Sequence, residues 1–188
     1  GQTLPIDFAI DGAGRCDITM TWQGERAEVP EFGLLFPLRR ELTEVSYLGL
    51  GPRETTADRT TGGKMGAWSY NVRQDFAQNT PVYPQECGSR TGVYSAALTG
   101  RDTEVPGIRF ASDDGMTFSA LPYTPHELEN ARHLYELSHD DNKTVVRCAL
   151  FQRGVGGDNS WGATPHEAAC FAVEKGMTFS FSIQKQNG

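Results

Sequence analysis

The sequence predicts an all-β protein, a large antiparallel β-sandwich with one short helix. Apolar residues recur mostly in short alternating runs, and the clearest of these covers residues 177–183, where Met, Phe, Phe and Ile alternate with Thr and Ser. Gly (21) and Pro (10) are plentiful among the 188 residues, which indicates many turns and few long helices. A single segment carries the signals that start a helix.

Candidate strands cover most of the chain. A half-buried strand alternates apolar and polar residues because successive side chains point to opposite faces of the sheet. Between the first two candidates, the sequence from Asp11 to Gly14 predicts a hairpin turn. The candidates are residues 5–10, 16–22, 32–36, 44–50, 92–98, 107–112, 117–121, 144–152, 168–173 and 177–183.

The predicted helix begins at Pro125. Thr124 precedes it as the N-cap, and Glu127 stands three positions after that cap, which is the spacing of a capping box. We expect the helix to run to about Arg132. The chain contains no internal repeat, low-complexity tract or linker, so residues 1–188 are interpreted as a single domain.

Composition argues against several functions. Hydrophobic residues make up 38% and charged residues 22%, which is ordinary for a globular domain. The net charge of −7 argues against a phosphate-binding surface, so no nucleic-acid partner is expected. No apolar run approaches the roughly 18 residues of a membrane-spanning helix, so no membrane partner is expected either.

The four cysteines, Cys16, Cys87, Cys148 and Cys170, are widely spaced and form no C-x-x-C pair. This spacing favours free thiols in a reducing compartment over a disulfide framework. We therefore expect a cytoplasmic protein, while a secreted parent protein stays open.

Three loops between the predicted strands have unusual sequences: the first loop (residues 49–59), the second loop (residues 83–90) and the Trp loop (residues 154–162). The first two are interpreted as turns with local ion pairs. These pairs would join Glu54 to Arg59 and Glu86 to Arg90. Glycine and proline punctuate both loops, as turns require.

The Trp loop is named for Trp161. Its glycines permit backbone conformations that other residues avoid. Its polar residues can hydrogen-bond neighbouring backbone groups and lock the turn. The loop is then either a rigid platform that presents Trp161 to a ligand or a cover under which the tryptophan is buried. The platform interpretation predicts carbohydrate binding, because a flat indole suits the C–H face of a sugar.

Several segments, in this order, resemble the C-terminal domain of β-galactosidases of glycoside hydrolase family 2. They are FGLLFPL (32–38), YLGLGPRE (47–54), PQE (84–86), FSALPYTP (118–125), Leu128, ARH (131–133) and GVGGDNSW (154–161). The resemblance covers about residues 30–185. The region before Phe32 is similar to the lead-in strands of that family only in its pattern.

The resemblance implies a sandwich similar to the galactose mutarotase fold, at the end of an enzyme that hydrolyses terminal β-D-galactosides. The two catalytic glutamates of that enzyme lie on a separate TIM barrel, so no catalytic residue is expected in this chain. The sandwich lends the active site a tryptophan that stacks on the sugar. In this sequence that residue is Trp161, and its supporting residues are Gly157, Asp158, Asn159 and Ser160.

The resemblance also implies partners and cofactors. The partners are the TIM-barrel catalytic domain of the same enzyme and a galactoside substrate, and the full enzyme is expected to be oligomeric. No metal or other cofactor is expected in this chain. Mg²⁺ and a monovalent cation are possible in the full enzyme, bound by other domains.

The sequence departs from the family pattern in its loops. The family's Glu-Asn-Tyr-Pro-Asp-Arg is replaced by ETTADR at residues 54–59, which keeps the charges and loses the aromatic residue and the proline. The family's Glu-Asn-Gly has Cys87 at its centre, and the second Asp of its Trp loop is Asn159. These departures leave the predicted fold unchanged and concern loop conformation and substrate preference. A second function also stays open, that of a stand-alone carbohydrate-binding or interaction sandwich.

Two other kinds of site do not fit the sequence. A retaining glycosidase needs two carboxylates roughly 5 Å apart, and nothing marks the candidate glutamates as such a pair. The candidates are Glu54, Glu86, Glu127 and Glu136. His126, His133 and His139 match no zinc-binding spacing, so no metal site is predicted.

Overall fold

A computed structural model describes residues 3–101, 104–137, 143–159 and 161–186. Over these residues the chain forms eleven strands, two α-helices and two short 3₁₀-helices. The strands are β1 (Ile6–Ile10), β2 (Cys16–Thr21), β3 (Ala27–Glu28), β4 (Glu31–Arg39), β5 (Glu44–Gly51), β6 (Lys64–Asn71), β7 (Arg90–Thr99), β8 (Gly107–Leu121), β9 (Lys143–Gln152), β10 (Ala172–Val173) and β11 (Thr178–Gln186). The α-helices are α1 (Val72–Asn79) and α2 (Pro125–Asn130), and the 3₁₀-helices are Leu134–Glu136 and Glu167–Ala169.

The predicted antiparallel sandwich is confirmed. One sheet has the strand order β1-β2-β11-β8-β7-β5-β6, and β9 pairs with both β8 and β4. The long strand β8 belongs to both layers because its two parts have different neighbours. Residues 107–111 pair with β11, whereas residues 117–121 pair with β9.

Glycine allows β8 to change layers. Gly115 has φ +79°, a conformation that residues with a side chain rarely adopt, and it lies between the two paired parts of the strand. The register between β7 and β8 shifts at the same level, between Val93 and Ser95. Such irregularities bend a strand and increase its twist.

The main core lies between the layers. Phe36 on β4 packs against Phe110 on β8 and Phe181 on β11, with ring centroids 5.5 and 5.9 Å apart. Phe179 and Phe181 are buried, as the alternation of β11 predicts. Burying each of these side chains contributes about 1.5–3 kcal/mol, so this packing holds the two layers together.

A second, smaller core lies on the other side of β8 and β9. It is built on Leu121 and Leu128, with Cys87 from the second loop and Leu137 packed beside them. Because β9 is covered on both faces, its residues from Thr144 to Ala149 are all buried.

The helix prediction was right for α2 and incomplete for the chain. The capping box of Thr124 and Glu127 is present, but α2 ends at Asn130 rather than near Arg132. The prediction of one helix was wrong, because α1 is a second helix that begins after Asn71, whose side chain accepts hydrogen bonds from the next turn. No helix among the described residues is long and apolar enough to cross a membrane.

Three strand predictions needed correction. Strand β6 was not predicted, because it is an edge strand whose polar residues hide its alternation. Residues 107–112 and 117–121 belong to one strand, β8. Residues 168–173 are mostly not a strand, because a 3₁₀-helix at Glu167–Ala169 precedes the two-residue β10.

All four cysteines are free thiols, as expected. Cys148 is fully buried, and burial raises the pKa of its thiol well above the ordinary value. Burial also raises the pKa of Cys87 to about 11. Cys16 and Cys170 are partly exposed.

Candidate functional site

Trp161 is presented to solvent. Its side chain is 92% exposed, the largest fraction among the large apolar residues that the structure describes. Trp22 and Trp68 are partly buried and donate their indole N–H groups to backbone carbonyls, those of Glu25 and Lys64. Of the two interpretations of the Trp loop, the one in which Trp161 is exposed is therefore confirmed, and burial under its own loop is excluded.

At the tip of the Trp loop, Gly157 and Ala163 are packed against each other. Gly157 lies so near Ala163 that a Cβ on this glycine would overlap the Ala163 carbonyl. Within the tip, the backbone N–H of Trp161 donates to Oδ1 of Asn159 at 2.8 Å, which forms a local Asx turn. Gly162 follows with φ +92°. These contacts hold the backbone at Gly157 and at Trp161.

The base of the Trp loop rests on the first loop. The backbone N–H of Gly156 donates to Oδ2 of Asp58 at 2.7 Å. A Cβ on Gly154 would lie 2.8 Å from Cγ of Asp58 and 2.9 Å from Cβ of Ala169, so only glycine fits between them. Gly154 also donates its N–H to the carbonyl of Ala169 at 2.8 Å.

The predicted supporting residues have different surroundings. Gly157 and Asn159 shape the tip, as described above. Asp158 points outward, with Oδ1 2.7 Å from Nε2 of His166, and both side chains are exposed. Ser160 lies outside the described residues.

A cleft of about 390 Å³ lies beside this contact between the first loop and the base of the Trp loop. Residues of both loops line it, among them Asp58, Arg59 and Asp158. Partial burial acts to raise the pKa of Asp58, but hydrogen bonds from Thr56 and from the backbone of Gly156 outweigh it and hold that pKa below its ordinary value. Asp58 is therefore a carboxylate near neutral pH.

The first and second loops are joined to each other. Oε1 of Glu54 lies 2.8 Å from NH2 of Arg59, so this predicted ion pair is confirmed. Oε2 of the same carboxylate accepts the backbone N–H of Gly88 at 2.7 Å, which ties the loops together. The predicted pair of Glu86 with Arg90 is wrong, because each of these residues has another partner.

Arg90 pairs with Asp75 on α1 inside the protein. NH1 and NH2 of Arg90 each donate to a different oxygen of the carboxylate, both at 2.6 Å. The guanidinium carbon also lies 4.2 Å from the ring centroid of Tyr70. This bidentate pair anchors α1 to the start of β7.

Glu86 pairs with Arg147 on β9. The guanidinium of Arg147 contacts the Glu86 carboxylate, and its Nε lies 2.6 Å from Oε2 of Glu31 on β4. Arg147 is buried, so its charge is balanced by glutamates from the second loop and from a neighbouring strand. The second loop is thereby fixed to the sandwich.

The two remaining candidate carboxylates also have structural partners. Oε1 of Glu127 lies 2.7 Å from Nζ of Lys143, while its Oε2 completes the α2 capping box. Oε1 of Glu136 lies 3.1 Å from Nδ1 of His133. Among the residues that the structure describes, no three His, Cys, Asp or Glu side chains are grouped as metal ligands would be.

The roles of Asp58 and of the buried pair of Asp75 with Arg90 were not predicted from the sequence. A signal existed for Asp58, because the first loop keeps its acidic and basic residues where its uncharged residues differ from the family pattern. Asp75 and Arg90 gave no such signal: they are 15 positions apart and their contact depends on the fold.

Comparison with known proteins shows what the chain is similar to. The family model described as "Beta galactosidase small chain" matches residues 2–183. A β-galactosidase of Lactobacillus delbrueckii subsp. bulgaricus is 36% identical over 184 residues, and one of Streptococcus thermophilus is 33% identical over 187 residues. These matches cover 96% and 98% of this chain but 18% of each relative, so the chain spans about a fifth of their length.

A relative described as a β-galactosidase small subunit, from Latilactobacillus sakei, is 32% identical, and the match covers 96% of this chain and 59% of that protein. Among solved structures, a galactose mutarotase-like protein from Lactobacillus casei is similar, and the alignment covers 97% of this chain and 62% of the Lactobacillus casei chain. Its TM-score is 0.39 and its sequence identity is 9%.

Proposed function

The chain belongs to the β-galactosidase small chain family, and from this membership we propose that it completes the sugar site of a retaining β-galactosidase. In this proposal Trp161 stacks on a terminal β-D-galactoside that is held mainly by a TIM-barrel catalytic domain of the same enzyme. The chain binds and positions the substrate, and the partner domain supplies both catalytic carboxylates.

The exposure of Trp161 is the observation that carries the proposal. An indole that is 92% exposed contributes little to the packing of its own domain. The loop around it is nevertheless held in place by the Asx turn at Asn159 and by the contact of Gly156 with Asp58. A large aromatic face on a backbone held in this way suits stacking against the C–H face of a sugar.

The carboxylates of the chain support the division of labour. Retaining hydrolysis needs one carboxylate as nucleophile and a second as acid and base. Each glutamate considered above is engaged with a basic side chain, for example Glu54 with Arg59 and Glu127 with Lys143. We therefore expect the purified chain to release no product from a chromogenic galactoside above background. Turnover that disappears when one of these glutamates is replaced would contradict this.

The sugar-binding role can be tested in the complete enzyme with Trp161→Ala and Trp161→Phe. Loss of about 1–3 kcal/mol of apolar contact would raise KM roughly 5–150-fold in the alanine variant. The phenylalanine variant keeps a flat ring and should lose less. The effect should fall on KM rather than kcat if stacking is equally strong in the ground state and the transition state.

A matched control is Val82→Ala, since Val82 is 86% exposed but lies outside the Trp loop. This variant should keep the wild-type KM. An unchanged KM in Trp161→Ala would overturn the proposal, as would an equal rise in the control.

Further parts of the proposal concern the complete enzyme. We propose that it is an oligomer and that any Mg²⁺ or monovalent cation is bound by its other domains. The four free thiols support a reducing, cytoplasmic compartment.

A further inference from the structure

We propose that Asp58 is a positioning residue for Trp161: its carboxylate holds the base of the Trp loop and thereby sets where the indole stands. The effect on the sugar rests on the function proposed above. The mechanical link between Asp58 and Trp161 does not, because it follows from the contacts of the chain alone.

The two carboxylate oxygens of Asp58 have separate tasks. Oδ1 accepts the hydroxyl of Thr56 at 2.5 Å, which orients the side chain from within the first loop. Oδ2 accepts the backbone N–H of Gly156 at 2.7 Å, which reaches across to the Trp loop. A hydrogen bond to a charged acceptor is about twice as strong as one between neutral groups.

The glycine beside this hydrogen bond shows how closely the two loops fit. Gly154 faces the Asp58 side chain, and the space for a Cβ on it is already filled by Cγ of Asp58 and by Ala169. The Asp58 side chain is therefore both a hydrogen-bond acceptor and a packing surface for the loop base.

The first loop is itself fixed to the sandwich. Thr55 is buried, its N–H donates to the carbonyl of Ser89 at 2.8 Å, and its hydroxyl accepts the N–H of Thr91 on β7 at 2.9 Å. The contact of Glu54 with Gly88 adds a second connection. Asp58 therefore connects the Trp loop, through the first loop, to the strands of the sandwich.

The tip of the loop moves with its base. Gly157 follows directly after Gly156 and is pressed against Ala163, which brings these two positions of the loop together. Trp161 lies between these two positions in the sequence, and its backbone N–H donates to Asn159. If the bond at Gly156 is lost, the segment between them can pivot as a unit and carry the indole with it.

The contact of Asp158 with His166 provides a comparison within the same loop. Its distance is equally short, 2.7 Å, but both side chains are exposed. Exposed ion pairs are screened by water and contribute little to holding a loop. Asp158→Ala is therefore a control that removes the same charge from the same region.

The experiment compares Asp58→Ala, Asp58→Asn and Asp158→Ala in the purified chain by NMR. The readouts are the exchange rate of the Gly156 amide and the mobility of the Trp161 indole N–H. Asp58→Ala should speed Gly156 exchange about tenfold or more, since a hydrogen bond to a charged group is lost, and should make the indole more mobile. Asp58→Asn should restore most of the protection, because its amide can accept from Gly156 and donate to Thr56.

Several results would overturn the proposal. One is an unchanged indole in Asp58→Ala, and another is an equal effect in Asp158→Ala. Faster exchange throughout the strands, including Cys148 on β9, would show a general loss of stability rather than release of the loop. The expected change is confined to the Trp loop.

Enzyme kinetics separate this proposal from the proposed function. In the complete enzyme, Asp58→Ala should raise KM, and adding it to Trp161→Ala should raise KM no further, because the two residues act through one contact. If Trp161→Ala leaves KM unchanged while Asp58→Ala frees the indole, the sugar-binding function fails and the positioning role stands. Fully additive effects on KM would contradict the positioning role.

Discussion

Arg90 and Trp161 are two large side chains with opposite surroundings, since Arg90 is buried and Trp161 is exposed. Arg90 is 1% exposed, and its guanidinium is held by Asp75 and by the ring of Tyr70. Trp161 is 92% exposed, and what is held is the backbone beneath it. The partners of Arg90 maintain the fold, whereas the loop of Trp161 is arranged to offer a side chain to another molecule.

The largest expected effect comes from breaking the buried pair. Asp75→Ala should lower the free energy of unfolding by about 3–5 kcal/mol, because the Arg90 charge would stay buried without its carboxylate. Chemical denaturation measures this loss. Asp17→Ala is the control, since the pair of Asp17 with Arg15 is exposed, and it should change little. A loss below about 1 kcal/mol for Asp75→Ala would show that Arg90 finds another partner.

A smaller effect is expected when the tip of the Trp loop is forced open. Gly157→Ala places a methyl group on the Ala163 carbonyl, so the tip must rearrange at a cost of about 1–3 kcal/mol. Denaturation and the amide shift of Trp161 measure the two consequences. Gly12→Ala is a matched control, because nothing lies within 4 Å of its Cβ position. If Gly157→Ala behaves like Gly12→Ala, the tip is not closed as described.

Removing the indole itself should hardly affect stability. Trp161→Ala in the purified chain should change the free energy of unfolding by about 0.5 kcal/mol or less, the usual range for surface positions. A loss of about 3–5 kcal/mol would instead identify Trp161 as a core residue.

The reactivity of the cysteines allows the buried interior and the more exposed parts of the molecule to be compared without any substitution. Only the thiolate reacts with a thiol reagent, and a raised pKa keeps Cys87 and Cys148 protonated until the pH is well above 8. In native protein at pH 8, the partly exposed Cys16 and Cys170 should react while Cys87 and Cys148 do not. Unfolding should expose four reactive thiols. Rapid labelling of Cys148 in native protein would show that the interior opens readily.

The sequence predicted most readily what depends on local pattern. The alternation in β11 and the capping box of Thr124 with Glu127 are written in adjacent residues, and both are present. The local pattern around Trp161 left both exposure and burial open, and the resemblance to a family favoured exposure. Its proposed role came from resemblance to a family.

What the sequence did not predict depends on contacts between distant residues. The hydrogen bond of Asp58 to Gly156 joins positions 98 apart, and no local pattern encodes it. The pairing of Arg90 with Asp75 was mistaken for a contact with nearby Glu86, because proximity in sequence was the only guide. Helix α1 was missed because the apolar residues along it are too few to show a helical period.

The most direct test of the central claim is the fluorine NMR signal of Trp161 in the complete enzyme, carried by a 5-fluorotryptophan-labelled chain and assigned as the signal lost in Trp161→Phe. Trp22 and Trp68 are internal controls, since both are partly buried and packed against the core. Adding galactose should shift the Trp161 signal in a saturable way and leave the control signals in place. A Trp161 signal that stays unchanged at saturating galactose would contradict the account.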